Sequence, residues 1–366
     1  MTINKFALPI LLSASGMAHA QSSVTLYGLL SSGLNYTSNQ GGNASYQLQS
    51  GAIQAQRWGL RGTEDLGGDT KAIFVLESGF DLMTGKSGQG GREFGRQAYV
   101  GISSDSYGTL TLGRQYDSIV DYVQGFTANG KWGILFSHPG DNDNTDAGFR
   151  IDNAVKYRSA NYNGLTFEGL YSFGGIAGEV SRNSVESVGV GYTRGGFSAG
   201  VAYMHIDHPA AAVTEGFWGS SNTVDGQYGA NASAYAVLGA GATYVAGTLS
   251  GSVAATQSKF SNGLDAQSVV LRNYEINGAW YVRPAFMLGG GYTYTQGHVD
   301  ATGATPKYHQ VNLIADYFLS KLTDVYVVAT WQHAMGDAQY AQVDAITPAA
   351  SGSNQLAVQI GMRHKF

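Results

Sequence analysis

Residues 355–366, QLAVQIGMRHKF, carry the clearest indication of the fold in the sequence. Its even positions are apolar apart from His364, and its odd positions carry small or polar side chains. The apolar members are Leu356, Val358, Ile360, Met362 and Phe366. Because successive side chains of a strand point to opposite faces, this period of two predicts a strand with one apolar face. A length of about eleven residues suits a tilted membrane-crossing strand better than a globular one.

Similar segments recur along the chain from residue 23 onward. We count about sixteen, an even number as in bacterial membrane barrels. The predicted spans are 23–37, 52–62, 71–81, 94–103, 108–115, 150–158, 164–172, 185–193, 197–206, 235–245, 247–258, 271–282, 285–296, 308–318, 323–333 and 355–366. The sequence therefore predicts an all-β fold, a transmembrane antiparallel β-barrel of about 16 strands.

The connections between these segments alternate between tight turns and longer polar stretches. The longer ones are predicted at 38–51, 82–93, 116–149, 173–184, 207–234, 259–270, 297–307 and 334–354. Short turns at one end and long loops at the other are typical of membrane barrels. A soluble β-sandwich has no reason to sort its loops by length in this way, so this alternative is disfavoured.

Composition narrows the class of protein further. The chain has 52 glycines, 6 prolines, no cysteine and a net charge of -5. The absence of cysteine excludes stabilisation by disulfides, and the lack of a basic cluster argues against a nucleic-acid partner. No stretch after residue 20 reaches 18 consecutive apolar residues, so the sequence predicts no membrane-spanning helix.

The first twenty residues have the pattern of a signal peptide. Lys5 supplies the positive charge, Phe6 and the following residues form a short apolar stretch, and Ala18-His19-Ala20 matches an A-x-A cleavage site. We therefore expect residues 1–20 to be removed on export and residues 21–366 to form the barrel domain.

Five motifs then point to a family. They are SSVTLYGLLSSG, RWGLRGTEDLGGDTKAIFVLESGF, FGRQAYVGISSDSYGTLTLGRQYD, NAVKYRSANYNGLTFEGLYSF and the terminal GMRHKF. In their order and spacing, and in the terminal phenylalanine, they resemble general porins of Gram-negative bacteria, in particular the β-proteobacterial type. The resemblance runs over the whole chain after the leader.

The resemblance implies an outer-membrane homotrimer in which each barrel is a water-filled channel for small polar solutes and ions. It implies that the loop at 116–149 folds into the lumen and narrows it. It also implies contacts with outer-membrane lipid and lipopolysaccharide, and recognition of the C-terminal strand, ending in Phe366, by the barrel-assembly machinery. Neither a cofactor nor a catalytic function is expected.

Arginines that face the lumen are the candidate selectivity residues. In QRWGLRG, Trp58 and Leu60 are expected to face lipid, so Arg57 points inward. In GRQAYVG, an outward Tyr99 is expected to leave Arg96 inward. An arginine on the lipid face at the bilayer midplane costs about 2–4 kcal/mol, which favours the inward assignment.

Similar porins carry constriction arginines at the positions that match three residues of this chain. These are Arg57, Arg96 and Arg150. Arg114, in LGRQYD, is a further candidate for the basic wall.

The acidic side of the constriction is expected to come from the lumen loop and one strand. Asp117 and Asp121 stand early in the loop, and Glu77 faces inward if Phe74 and Leu76 face lipid. Opposed charges across a narrow pore set a transverse field that orients dipolar solutes. The stretch DNDNTD at 141–146 is interpreted as a solvated acidic segment, with a Ca²⁺ site left as the alternative and no metal site assigned.

Counting wall arginines against loop acids gives a basic excess, so the sequence predicts a weakly anion-selective diffusion channel. A substrate-selective channel for a particular organic anion is the alternative. A barrel enzyme is disfavoured because no nucleophile with its base and orienting partner can be assembled near one rim. A secondary role as a surface adhesin stays open.

Overall fold

The computed structural model describes residues 23–216, 218–219 and 222–366, and the predicted leader lies outside them. The described strands form one antiparallel sheet that closes on itself. In the first half they are β1 (Ser23–Gln40), β2 (Asn43–Ser50), β3 (Arg57–Gly67), β4 (Thr70–Gly79), β5 (Gln97–Ser104), β6 (Gly108–Gln115), β7 (Ile151–Arg158), β8 (Leu165–Ser172) and β9 (Val185–Arg194). The second half contains β10 (Phe197–Asp207), β11 (Ala234–Ala246), β12 (Leu249–Leu264), β13 (Gln267–Arg283), β14 (Phe286–Val299), β15 (Pro306–Phe318), β16 (Thr323–Gly336) and β17 (Asn354–Lys365).

The C-terminal strand closes the barrel. β17 pairs with β1 from Leu29↔Lys365 to Thr37↔Ala357. The backbone N–H of Gly28 donates to the carbonyl of Phe366 at 2.9 Å, and the N–H of Phe366 donates back at 3.0 Å. A closed sheet pairs the backbone groups of its strands and leaves no edge, which hydrocarbon requires.

Seventeen strand segments make sixteen barrel strands, because β2 and β3 share one position in the wall. β1 pairs with β3 through residues 23–29 and with β2 through residues 32–40. Residues 51–56 leave the wall between the two segments, and Ala52 and Ile53 are buried there. The prediction of a 16-stranded barrel is therefore confirmed, with its second strand interrupted.

The predicted polar loop at 38–51 is wrong. Gly41 and Gly42 form a tight turn with φ angles of 62° and 103°, and β2 follows at once. Positive φ at two successive residues suits a two-residue hairpin, and glycine adopts it without strain. Tyr46 and Leu48 alternate with polar neighbours, a pattern that indicates a strand. Both side chains are exposed on the outer face.

The predicted loop at 259–270 is also wrong. β12 runs to Leu264, β13 begins at Gln267, and Asp265 and Ala266 make the turn with φ angles of 48° and 58°. The stretch has polar residues on both sides of Phe260, which is typical of a loop, but strand residues that face the lumen can be polar too.

Apolar side chains alternate outward and polar ones inward along the wall, as predicted. On β17, Ile360 is 62% exposed on the outer face, whereas Gln359 is fully buried inside. On β5 the predicted orientation is wrong, because Val100 and Ile102 face outward and Tyr99 lines an inner cavity. Arg96 precedes β5 in irregular backbone, so strand alternation does not govern its direction.

The long connection between β6 and β7 lies inside the barrel. This segment, residues 116–150, is called the lumen loop below, and most of its residues are buried. Its helices are α1 (Ser118–Tyr122) and α2 (Ala128–Trp132), and 3-10 turns lie at Gln124–Phe126, Ile134–Phe136 and Pro139–Asp141.

Other helical segments lie in the long connections. The loop between β10 and β11 contains α3 (Pro209–Ala212) and α4 (Asp225–Tyr228). The loop between β4 and β5 contains a 3-10 turn at Gln89–Gly91. No helix in the described part of the chain is long and apolar enough to cross a membrane.

Strand glycines let the lumen loop approach the wall. A Cβ atom on Gly189 would lie 2.6 Å from the ring of Tyr122, and one on Gly241 would lie 2.6 Å from Cβ of Phe126. A Cβ atom on Gly200 would lie 2.2 Å from the Tyr122 carbonyl oxygen. The glycines of β9, β10 and β11 thus create the space into which the loop packs.

The lipid-facing side of β12 provides a test of the membrane placement. Leu249 and Val253 are both 55% exposed on the outer face, one beside the short turn and the other four residues further along. We expect Val253→Arg to lower the free energy of unfolding in lipid vesicles by about 2–4 kcal/mol and Leu249→Arg by about 0–1 kcal/mol. Equal losses for the two variants, measured by denaturant titration of tryptophan fluorescence, would contradict this placement.

Candidate functional site: the constriction of the lumen

A cavity of about 340 Å³ lies between the lumen loop and the wall. Three of the arginines predicted for the basic wall line it, and the structure brings them together from three separate parts of the chain. These are Arg57, Arg96 and Arg150. Their assembly at one cavity is a geometric observation, and their role in selectivity stays a prediction.

Tyr116 joins two of these arginines. Its hydroxyl accepts hydrogen bonds from Nη2 of Arg96 at 2.8 Å and from Nη2 of Arg150 at 3.2 Å. The guanidinium of Arg150 lies over the Tyr116 ring, 5.1 Å from its centroid. Burial alone would raise the pKa of Tyr116. The positive charges of Arg150, Arg96 and Arg57 instead hold this pKa below its ordinary value. The first residue of the lumen loop therefore orients the basic wall.

Glu77 lies behind this wall instead of across the pore from it. Its carboxylate accepts from Nε of Arg96 at 2.8 Å and from the hydroxyl of Tyr27 at 3.0 Å. Gly59, on the strand between them, leaves room for the Tyr27 ring, since a Cβ atom there would lie 3.0 Å from it. The prediction that Glu77 faces inward agrees with the structure, but the expectation that it lies opposite the arginines does not.

Arg114 is not among the described residues that line the cavity, which corrects its assignment to the basic wall. Strand alternation places Arg114 on the same side of β6 as Leu112, which faces outward. The pairing register of β6 with β7 also shifts between Gly113 and Gln115. Its guanidinium donates to Asp152 at 2.5 Å and to Glu215. Its charge is therefore neutralised at the loop end of the barrel.

Glu215 links the loop after β10 to this region. Its carboxylate bonds to Arg114, accepts the backbone N–H of Arg150 at 2.9 Å and lies 3.3 Å from Nη1 of Arg92. The sequence offered no signal for this contact, because Glu215 is 101 residues from Arg114.

The two aspartates at the start of the lumen loop do not form an acidic side of the cavity. Asp117 is fully buried and caps α1, accepting from the N–H of Ile119 at 2.8 Å and from Asn144 at 2.7 Å. Burial raises the pKa of Asp117 to about 6. Asp121 pairs with Lys156 of β7 at a separate cavity. Both carboxylates were expected to face the pore, but Asp117 caps a helix and Asp121 binds a lysine of the wall.

Three further charged residues line the cavity: Lys131, Arg363 and Asp146, the last of which belongs to the acidic stretch 141–146 of the lumen loop. Arg363 of β17 donates to Asp324 at 2.9 Å, so its charge is paired. Lys131 is the one Lys or Arg in residues 116–149. A single cation in a loop that is expected to enter the lumen could have identified it as a candidate pore residue. Asp146 is the one carboxylate among the described lining residues.

Five of the six residues of the acidic stretch 141–146 are not solvated, which corrects its interpretation as an open acidic segment, and of this stretch Asp146 lines the cavity. Residues 141–145 are buried, and Asp141 accepts the backbone N–H groups of Asp146 at 2.8 Å and Gly148 at 3.2 Å. Among the described residues no group of three or more His, Cys, Asp or Glu is placed to hold a metal ion. The carboxylate of Asp141 therefore holds the loop's own backbone.

A buried ionic cluster attaches the lumen loop to the wall. His138 lies between two carboxylates, with Nδ1 2.6 Å from Asp143 and Nε2 2.9 Å from Glu275 of β13. Burial alone would lower the pKa of His138. The carboxylates of Asp143 and Glu275 instead raise this pKa to about 10. Glu275 also accepts the backbone N–H of Ala128 at 2.7 Å. A charged imidazolium and a wall carboxylate thus hold the middle of the loop in place.

Removing this wall carboxylate tests whether it positions the loop. We expect Glu275→Ala to raise the unit conductance and its noise in planar bilayers, because each charged hydrogen bond contributes about 1.5–3 kcal/mol and His138 loses one of its partners. Glu186→Ala, an exposed carboxylate on β9, is the matched control. An unchanged conductance in Glu275→Ala with an intact barrel would show that the loop is held by other contacts.

Comparisons with known proteins agree with this geometry. The family model described as Gram-negative porin matches residues 7–337. An outer-membrane porin protein of Bordetella pertussis is 29% identical to this chain, and the match covers 98% of each.

Solved structures show the same fold. The anion-selective porin from Comamonas acidovorans superposes with a TM-score of 0.78 at 24% identity, covering 94% of this chain and 100% of that one. The trimer form of OmpT, an outer-membrane protein of Vibrio cholerae, superposes with a TM-score of 0.69 at 16% identity, covering 94% and 99%.

Proposed function

This chain belongs to the Gram-negative porin family, and from that premise we propose that its outer-membrane channel is passive, without catalysis, and prefers anions. The family resemblance read from the motifs is thereby confirmed, together with the outer-membrane location and the channel function. The preference for anions and the residues that create it are what we add.

The observation that carries the proposal is the excess of unpaired cations at the cavity. Among the described residues no carboxylate lies within ion-pairing distance of Arg57, Arg150 or Lys131. Arg96 and Arg363 are paired, with Glu77 and Asp324. A solved neighbour of the same fold is described as an anion-selective porin.

The field in the constriction acts on solutes in a simple way. Low-dielectric walls focus the field of the unpaired cations into the cavity, so anions concentrate there and cations are repelled. The local arrangement outweighs the net charge of -5, since charges separated by more than about 8–10 Å are screened by salt. The channel thus selects by charge without a tight binding site.

We further propose that the mature protein is a homotrimer of barrels that begins after a cleaved leader at residues 1–20. The trimer form of the solved Vibrio cholerae neighbour supports the oligomer. Outer-membrane lipid and lipopolysaccharide would contact the apolar outer face. Phe366, whose ring packs against Gly28 and is 49% exposed, is the proposed recognition element for the assembly machinery.

Neutralising the unpaired arginines tests the proposal. In a tenfold KCl gradient we expect a reversal potential that indicates chloride preference, and a shift toward potassium in Arg57→Ala and Arg150→Ala. A charge about 5–7 Å from the ion path in water, weakened about twofold by salt, changes the free energy of each ion by about 0.3–0.4 kcal/mol in opposite directions. Its loss predicts a decrease of about threefold in the chloride-to-potassium permeability ratio per variant.

Arg182→Ala is the control, because Arg182 is exposed on the loop after β8 and pairs with Glu179. Its reversal potential should equal that of the unaltered channel. A preference for potassium in the unaltered protein would overturn the proposed function.

A further inference from the structure

We propose that Lys131 is a selectivity-determining residue on the loop side of the constriction, where its ammonium binds the permeating anion opposite Arg57 and Arg150. This inference rests on the anion preference proposed above and deepens it. It replaces the expected arrangement, a basic wall facing an acidic loop, by cations on both sides of the pore.

The barrel holds Lys131 in a defined place. Its Nζ donates to Oδ1 of Asn277 on β13 at 2.7 Å and to the hydroxyl of Ser252 on β12. β12 and β13 lie across the barrel from β3, which begins with Arg57, and from β7, which follows Arg150. An ammonium has three N–H donors, so with two used on the wall one is left for the cavity.

Unused donors on the opposite side complete the site. Arg150 is 4% exposed, and its Nε is buried without a hydrogen-bond partner. Arg57 uses Nε on the carbonyl of Ala55 at 3.1 Å, which leaves its terminal amino groups. Since Arg57 and Arg150 both line the cavity, the amino groups of Arg57 that no protein acceptor uses are available to a bound anion. A small inorganic anion or a carboxylate has the required chemistry.

The charge of Lys131 is expected to depend on pH in a usable range. Burial lowers the pKa of Lys131 to about 8, against the opposing effect of Glu275. The other charged groups at the cavity are Arg57, Arg96, Arg150, Arg363 and Asp146. Burial and the nearby Asp344 raise the pKa of Asp146 to about 8. Raising the pH from 7 to 9.5 therefore removes a cation and adds an anion at the cavity.

The first experiment separates Lys131 from the other cations at pH 7. Reversal potentials in a KCl gradient are compared for the unaltered channel, Lys131→Met and Lys131→Arg. We expect Lys131→Met to lower the chloride-to-potassium permeability ratio by about threefold and Lys131→Arg to retain it. Lys86→Met is the control for the loss of one lysine, because Lys86 is exposed on the loop between β4 and β5.

The second experiment uses pH in an Asp146→Asn background, so that the carboxylate no longer titrates. Anion preference should fall between pH 7 and 9.5 in Asp146→Asn, and should fall less in Asp146→Asn combined with Lys131→Arg, because the guanidinium keeps its charge and the titration of Tyr116, which also lines the cavity, is common to both proteins. The Asp146→Asn protein keeps Lys131 and its contacts. Its pH profile therefore tests the inference even if Lys131→Met does not assemble.

The outcomes separate this inference from the proposed function. A potassium-selective unaltered channel overturns the proposed function and with it this inference. An anion-selective channel whose preference is the same in Lys131→Met, and falls equally with pH in Asp146→Asn with and without Lys131→Arg, overturns the role of Lys131 alone.

Discussion

The pairing of β1 with β17 closes the sheet, and the other features of the barrel require this closure. In hydrocarbon an unpaired backbone N–H or C=O costs several kcal/mol, so the wall can exist only as a complete ring. The ring forces side chains to alternate between lipid and lumen. Apolar residues then lie outside, and polar and small residues inside, along every strand.

The lumen created by this ring is large enough to hold a folded segment. Residues 116–150 occupy it because β9, β10 and β11 carry glycines where α1 and the following turn touch the wall. Apolar contacts of Ile119 and Val123 and the ionic contact of His138 with Glu275 hold the segment there. The pore is therefore the space that the lumen loop leaves free.

Charge at that space is decided by pairing more than by composition. Most carboxylates near the constriction are used: Glu77 by Arg96, Asp324 by Arg363, Asp121 by Lys156, and Asp117 by the start of α1. An ion pair has little net field at a distance, so the unpaired Arg57, Arg150 and Lys131 dominate the cavity. A chain with a net charge of -5 can in this way contain a basic pore.

The barrel, its sixteen strands, the inward loop and the three arginines that meet at the cavity could all be predicted before the structure was known. Local alternation predicts the barrel and its strands, whereas the inward loop and the cluster of arginines follow from the resemblance of the motifs to general porins. The hairpins at Gly41-Gly42 and at Asp265-Ala266 were missed because inward polar residues resemble loop residues. Only the tertiary structure decided which charges face the pore. Whether Arg114 pairs with Glu215 or Lys131 reaches β13 depends on contacts between residues 101 and 146 positions apart, which local patterns do not encode.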